Sequence, residues 1–370
     1  MLRRLTVSNY RCLGESVGVE FGALTVLVGR NAAGKSSILD ALSFVADALA
    51  LGLPAAIQMR RGIQALRRTV GRVRGGRTKD IGVALELELP DGPVTYAFKI
   101  STDDDYRVKE ETVTVAGLDG FDRAVGRYPG GLMPRSDPRN LVLPALAGDA
   151  RFVPLTDELK RIAVYSVYPD ALRRPQEFDA ARPMDRHGSN WASILQDEAN
   201  AEWQPDLVAC LERLTGDVSD VRVAAVGGFL AVQFQHRGHD WFDAKQESDG
   251  TLRMAGIITA LRQRPTPTVV CIEEPELTIH PGAFGLLMDF VRETAASTQV
   301  VLTSHSPDLL DLVDADSLRL VVPGPDGTEV RYLGDADKSL VREGLMSIGD
   351  MTRAGHLQQL KLAGGAWDGS

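Results

Sequence analysis

The chain has 370 residues, 44% hydrophobic and 25% charged, which is ordinary for a globular protein of one large domain or two modest ones. No stretch approaches 18 uninterrupted apolar residues, and the N-terminus MLRRLTVSNYRCLGE lacks a signal-length apolar run, so neither a membrane nor export is expected and a cytoplasmic protein is. A net charge of −9 argues against general polyanion affinity, and three scattered cysteines (Cys12, Cys210, Cys271) without a C-x-x-C pair argue against structural metal.

Residues 2–8 and 23–28 are rich in Val, Leu and Thr and predict strands, the second running into a glycine-rich turn and then the apolar-periodic helix SSILDALSFVADALA. Between Leu51 and Lys79 there is no acidic residue, while Arg60, Arg61, Arg67, Arg68, Arg72, Arg74, Arg77 and Lys79 supply eight positive charges. Such a segment is a candidate contact for duplex DNA, because phosphate neutralisation dominates sequence-independent affinity; a solvated insertion balancing acidic neighbours is the competing reading. IGVALELEL, VTYAFKIS and VKEETVTVA alternate and are separated by PDGP and TDDD, predicting an antiparallel meander with Asp103, Asp104 and Asp105 at a hairpin tip. Residues 116–150, rich in Gly, Pro and Arg, predict a connector. A mixed region follows, with a strand near IAVYSVY, helices around NWASILQDEA and PDLVACLERLTG, and strands near VRVAAV and FLAVQFQ. From Asp249 the pattern alternates helix and strand, ending in the pair LRLVVP and EVRYL. The fold class expected is α/β, a P-loop head with a mixed sheet plus an antiparallel and helical inserted lobe.

Gly29, Arg30, Asn31, Ala32, Ala33, Gly34, Lys35 and Ser36 satisfy G-x-x-x-x-G-K-[ST] between a strand and a helix. Backbone N–H groups at the helix N-terminus, continuing into Ser37, can wrap the phosphates of ATP; Lys35 can reach the terminal phosphate oxygens, and the Ser36 hydroxyl can ligate Mg²⁺. A second apolar strand, VVCI, ends in Glu273 and Glu274. A carboxylate there can hold the metal and the next can orient or deprotonate the attacking water, which assigns Glu273 to Mg²⁺ and Glu274 to catalysis. A third strand, VVLTS, ends at His305, placed to donate to the terminal phosphate.

Together with Gln246–Leu252 (QESDGTL) at the head of a helix, these elements resemble the head domains of ABC-type ATPases, in particular the compact AAA_21-like relatives of SMC, RecF and the zinc-hook repair ATPases that form the ATPase half of OLD-type nucleases and Septu-type phage-defence systems. Val7–Leu13 (VSNYRCL) resembles their opening N-F-R-S strand. The resemblance implies that Ser248 and Gly250 belong to a signature motif capping the terminal phosphate bound by a second copy, hence an ATP-dependent homodimer with two composite sites. Glu247 stands where these families usually show leucine, Glu273 where they show aspartate, and Glu276–His280 resembles the dimer-contact loop. The domain reading is a discontinuous core, 1–50 and 241–335; a lobe, 51–240, holding the basic segment 59–79 and the meander 81–115; and a helical tail, 336–370.

His236 and His239 stand three apart at a turn without cysteines, a weak metal pattern. Tyr168–Arg174 and Asp185–Asn190 read as connectors that can contact phosphate or carry strain. Ser304 and His305 are neighbours on a strand and point to opposite faces, against a serine hydrolase. The expected function is an ATPase that dimerises on ATP in DNA maintenance or phage defence, clamping DNA or a partner. The alternative is a nucleotide-controlled interaction module, hydrolysing little, that regulates a separately encoded nuclease, toxin or other effector. The 37 residues after Leu333 are too few for a TOPRIM nuclease, so nuclease activity is expected only from a partner chain.

Overall fold

The computed structural model describes residues 1–68, 80–102, 105–115, 118–129, 134, 137–197 and 201–355. Arg72, Arg74, Arg77 and Lys79 of the basic segment, Asp103 and Asp104, and tail residues 356–370 lie outside the described residues.

Alternating apolar residues start the chain as β1 (Leu2–Ser8), which pairs antiparallel with β2 (Val17–Glu20) across a turn where Asn9 and Arg11 take positive φ. The run LTVLV forms β3 (Leu24–Val28), followed by the glycine-rich loop and α1 (Lys35–Ala50). Short helices α2 (Leu53–Met59) and α3 (Ile63–Leu66) precede the strands β4 (Ile81–Leu89), β5 (Gly92–Ile100), β6 (Val108–Val115) and β7 (Leu118–Asp122). Next come α4 (Val153–Lys160), β8 (Ile162–Tyr165), α5 (Pro169–Leu172), α6 (Trp191–Gln196) and α7 (Gln204–Thr215), which ends at Gly216 in the left-handed region. The hairpin strands β9 (Val218–Val226), β10 (Phe229–His236) and β11 (Trp241–Asp243) lead into α8 (Asp249–Arg262). The chain closes with β12 (Val269–Glu273), α9 (Phe284–Ala295), β13 (Gln299–Ser304), α10 (Pro307–Leu310), β14 (Leu318–Gly324), β15 (Gly327–Arg331), α11 (Asp335–Arg342) and α12 (Ile348–Arg353).

These strands make three sheets, ordered β2-β1-β4-β5-β6-β7, β11-β10-β9 and β15-β14-β3-β13-β12-β8. The third is parallel from β14 to β8, with β15 antiparallel at its edge. Its central strands are apolar on both faces, as a parallel sheet covered on both sides requires. Leu27, Cys271 and Val301 enter the core shared with α1 and the large antiparallel sheet, whereas Val26, Val28, Ile272 and Leu302 enter the core shared with α8 and α9. α1 therefore lies between two sheets, which explains why Ile38, Leu39, Leu42, Phe44, Val45 and Leu49 are buried although they do not fall on one stripe.

The sheets cut across the domain boundaries read from sequence. β8, within the expected lobe of 51–240, is an edge strand of the largely parallel sheet, paired parallel to β12. β1 and β2, assigned to the core, belong to the sheet of the meander, with Leu5 opposite Leu85. β7 lies in the stretch read as a connector. Period and turn residues identify a strand, but the choice of partner is made by contacts distant in sequence. Arg60 also departs from expectation: it is 8% exposed and paired with Asp40 at 3.0 Å and Asp47 at 2.8 Å, beneath the surface. Asp40 also accepts from Tyr10 Oη and pairs with Arg11 at 2.8 Å, tying the opening strand's turn to α1. No helix among the described residues is long and apolar enough to cross a membrane.

Candidate nucleotide site

Parallel register aligns three strand ends on one edge. Glu273 stands beside Thr303, and Ser304 beside Val28, so the exits of β12, β13 and β3 open together. This is where open α/β sheets bind ligands. The loop leaving β3 needs its glycines for space. A Cβ on Gly29 would sit 2.1 Å from the Val321 carbonyl oxygen, and one on Gly34, where φ is +116°, 2.4 Å from Thr328 Oγ1. Thr328 donates to the Ala33 carbonyl at 2.8 Å, so β15 holds the loop from behind. Arg30, Asn31, Ala32 and Ser36 are exposed on its outer side, and Ala32 takes φ +63°. Ser37 Oγ lies 3.2 Å from the Cys12 thiol.

Lys35, at the first position of α1, is buried and turns its ammonium back onto the loop, donating to the Gly29 carbonyl at 2.7 Å and the Arg30 carbonyl at 3.3 Å. Burial lowers its pKa, and the charges of Glu274 and Glu276 pull in the opposite direction. Glu274 leaves β12 with φ +43°, a conformation that side chains other than glycine adopt rarely and that collects at functional sites. Its amide is anchored on Thr303, through both the carbonyl and Oγ1 at 3.1 Å, and its carboxylate meets His305 Nδ1 at 3.2 Å. Glu274 thus lies against His305 and close enough to Lys35 for its charge to act on the ammonium.

Three further residues contact these groups. Glu276, read only as the start of a contact loop, is buried and accepts from Ser304 Oγ at 2.6 Å and the His305 amide at 3.2 Å, while its Oε2 is buried without a hydrogen-bond partner. Arg253, on α8, donates to the carbonyls of Glu273 at 3.2 Å and Glu274 at 2.8 Å and to that of Val167. Arg186 meets Glu273 Oε2 at 2.8 Å, leaving Glu273 Oε1 buried and without a hydrogen-bond partner. The repeated glutamate in E-E-P-E was the only local signal for Glu276. Arg253 reaches the site from 20 residues away with no local pattern, whereas Arg186, 87 residues from Glu273, belongs to Asp185–Asn190, read as a connector that can contact phosphate.

Ser248 and Gly250 stand at the head of α8. Ser248 caps the helix, accepting from the Thr251 amide at 3.1 Å, and Gly250 packs so closely on the loop after β12 that a Cβ would lie 2.8 Å from the Thr278 carbonyl oxygen. Among the described residues, neither has a hydrogen bond to the cradle of its own chain. Glu247 is bound by His236, Nε2 to Oε1 at 2.6 Å, and the other ring nitrogen meets Asp217 at 3.0 Å. His236 therefore has carboxylate neighbours that its sequence context did not reveal, but no group of three or more His, Cys, Asp or Glu able to hold a metal occurs among the described residues.

Comparison with known proteins agrees with this geometry. The family model AAA_21, described as "AAA domain, putative AbiEii toxin, Type IV TA system", matches residues 24–311. An OLD nuclease of Thermus scotoductus is 26% identical over 377 aligned residues, covering 92% of this chain; the chain spans 65% of that relative's length. Among solved structures, an SMC head bound to the C-terminal winged-helix domain of ScpA superposes with a TM-score of 0.61 at 14% identity, over 90% of this chain and 98% of that one. An SMC head from Pyrococcus furiosus with an extended coiled coil, bound to the C-terminal domain of ScpA, gives 0.55 at 13% identity, over 93% and 99%. At these identities the likeness establishes the fold, an SMC-like head. With the family model matching residues 24–311 and a glycine-rich loop of the P-loop pattern opening α1, the chain belongs to the AAA_21 family and is an AAA/ABC-type P-loop ATPase.

Proposed function

We propose that the chain binds ATP with Mg²⁺ at the shared edge of β3, β12 and β13, hydrolyses it through Glu274, and closes on a second copy of itself while ATP is bound. The observation that carries this reading is the convergence of Lys35, Glu274 and His305, with Glu274 held at positive φ and directed onto the histidine.

The backbone of residues 29–37 and Lys35 would bind the phosphates, since the loop is too tight for side chains at Gly29 and Gly34 and its lysine already lies on loop carbonyls. Ser36 and Glu273 would hold Mg²⁺; the unpartnered buried Oε1 of Glu273 fits a hard cation, which would supply charge neutralisation of the phosphates. Glu274 accepts the proton of the attacking water as its oxygen bonds to the terminal phosphorus and the bond to the leaving diphosphate oxygen breaks. His305 orients Glu274 and faces the terminal phosphate. Ser248 and Gly250 complete the site of the opposite chain, because an N-capped helix start makes an anion nest.

Glu274→Gln removes the base and keeps the shape. Turnover should fall by about 10²–10⁴-fold while an ATP-dependent dimer accumulates, read by phosphate release and by mass from light scattering. Wild-type protein that neither hydrolyses ATP nor changes mass with it would sink this reading and favour a nucleotide-controlled module acting on a separately encoded nuclease or effector.

Relatedness to an OLD nuclease supports a place in DNA maintenance or phage defence, with duplex DNA as the surface partner. Arg61 is exposed, and Arg67 and Arg68 are half-buried at the start of the basic segment. Replacing these three with alanine should weaken duplex binding and reduce the slope of log affinity against log salt by up to about 3, close to one for each phosphate no longer neutralised. An unchanged slope would remove DNA from the proposal.

A further inference from the structure

The residue preceding Ser248 breaks the pattern of the resemblance, and the fold supplies a partner for it. Glu247 carries a carboxylate where leucine is usual, on a side chain that is 7% exposed. Its Oε1 lies 2.6 Å from His236 Nε2, at the end of β10, and His236 Nδ1 lies 3.0 Å from Asp217 Oδ2, in the turn between α7 and β9. Phe242 of β11 packs edge-on against the imidazole, with centroids 5.4 Å apart. A neutral imidazole has one N–H and a carboxylate only accepts, so both contacts are satisfied together only by the imidazolium.

We infer that His236 is a positioning residue for the signature turn: bridged between Asp217 and Glu247, it fixes Glu247 and thereby the cap Ser248 and the first amides of α8. This inference rests on the proposed role of Ser248 and Gly250. Glu247 sits next to the cap, with its backbone in extended conformation, and has little freedom once its side chain is held. The turn is tied a second time, by Arg173, which donates to Asp249 at 2.6 Å and to the Glu247 carbonyl at 3.5 Å. Arg173 comes from the end of α5 and His236 from the three-stranded sheet, so the turn is held from two sides. Strain applied to β9–β11 reaches the signature turn through the imidazole.

The charges around His236 set the sign of its pH response. Asp217 and Glu247 face it from two elements, and Phe242 adds no charge from the third. The neighbouring Arg237 is paired with Glu212 of α7, and Lys245 with Asp243. Burial of His236 depresses its pKa, but hydrogen bonds and Coulombic attraction from Glu247 and Asp217 outweigh this and raise it. A raised folded pKa means that the bridge is complete below the unfolded value of about 6.5 and is lost as pH rises through the folded value.

The test uses His236→Gln, Glu247→Gln and the double variant of the full chain, with two readouts. Hydrogen exchange of the Thr251 and Leu252 amides, without nucleotide and corrected for intrinsic rates, reads the turn itself. Each single variant should lose about 10- to 100-fold of protection, the range of one charge-assisted hydrogen bond, and the double variant no more than either single. Wild-type protection should fall as pH rises through the raised folded pKa of His236, and the variants should show no such fall. The second readout is ATP-dependent mass in the Glu274→Gln background, where the variants should still bind a fluorescent ATP analogue but dimerise more weakly. Equal protection in wild type and variants at every pH, or additive losses in the double variant, would overturn the inference. Should the parent fail to dimerise with ATP, the composite-site reading fails while the exchange data still decide the bridge.

Discussion

Two arginines next to each other in sequence do opposite things. Arg60 is buried against Phe44, with its guanidinium 5.3 Å from the ring centroid, and binds Asp40, Asp47, the Ser43 hydroxyl and the Ala56 carbonyl. Arg61, at positive φ, points to solvent. Removing one partner from a buried pair leaves a desolvated charge behind, so Arg60→Ala should cost about 3–5 kcal/mol of stability. Arg61→Ala should stay within about 0.5 kcal/mol. Urea denaturation of both variants checks this; equal stabilities would mean that Asp40 is held well enough by Tyr10, Arg11 and Arg186. The contrast matters for any test of DNA binding, because an alanine block that includes Arg60 would confuse unfolding with weaker attraction to phosphate.

At the scale of elements, legibility followed the distance over which each signal acts. The glycine-rich loop is specified by eight adjacent residues between a strand and a helix, and the structure places it there. The meander was readable because β4, β5 and β6 alternate and their turns are local. The Tyr10–Arg11–Asp40–Arg60 cluster, the pairing of β8 with β12 and the arginines that hold Glu273 were not readable, because each joins residues tens of positions apart. Glu111 belongs with these. Alternation places it on β6, and it is fully buried, accepting from the amides of Val142 and Leu143 at 2.6 and 2.9 Å and from Tyr96 Oη at 3.1 Å. One carboxylate thus fastens the connector to the sheet at Val142 and Leu143, with Arg123 3.6 Å away. Burial raises its pKa and the hydrogen bonds restrain the rise. Glu111→Ala would strand two amides and a phenol and remove the counter-charge of Arg123, and should destabilise by about 3–5 kcal/mol, against a smaller loss for Glu111→Gln, which keeps one acceptor. Thermal unfolding that ranks Gln with Ala would show that the charge, more than the acceptor, holds the connector.

For the whole molecule, the question is which cradle the head of α8 serves. The glycine-rich loop, Glu274 and His305 share one sheet edge, while Ser248 and Gly250 form no hydrogen bond with that loop among the described residues. If the head of α8 serves the cradle of a second copy, a two-fold dimer contains two equivalent sites, each built from both chains. Two inactive variants then repair one another. Lys35→Ala spoils the cradle and leaves the signature turn intact; Ser248→Arg blocks the turn and leaves the cradle intact. In an equal mixture half the dimers are mixed, and each mixed dimer has one wholly intact site, so hydrolysis should return to about a quarter of the wild-type rate if the sites act independently. If both cradles must be filled before the heads close, the mixture stays inactive, but a mixture of wild type with Ser248→Arg, whose cradles are all intact, still hydrolyses through one site per mixed dimer. A site complete within one chain gives a different result: Ser248→Arg alone would keep its turnover, and mixing would add nothing beyond the average of the two variants.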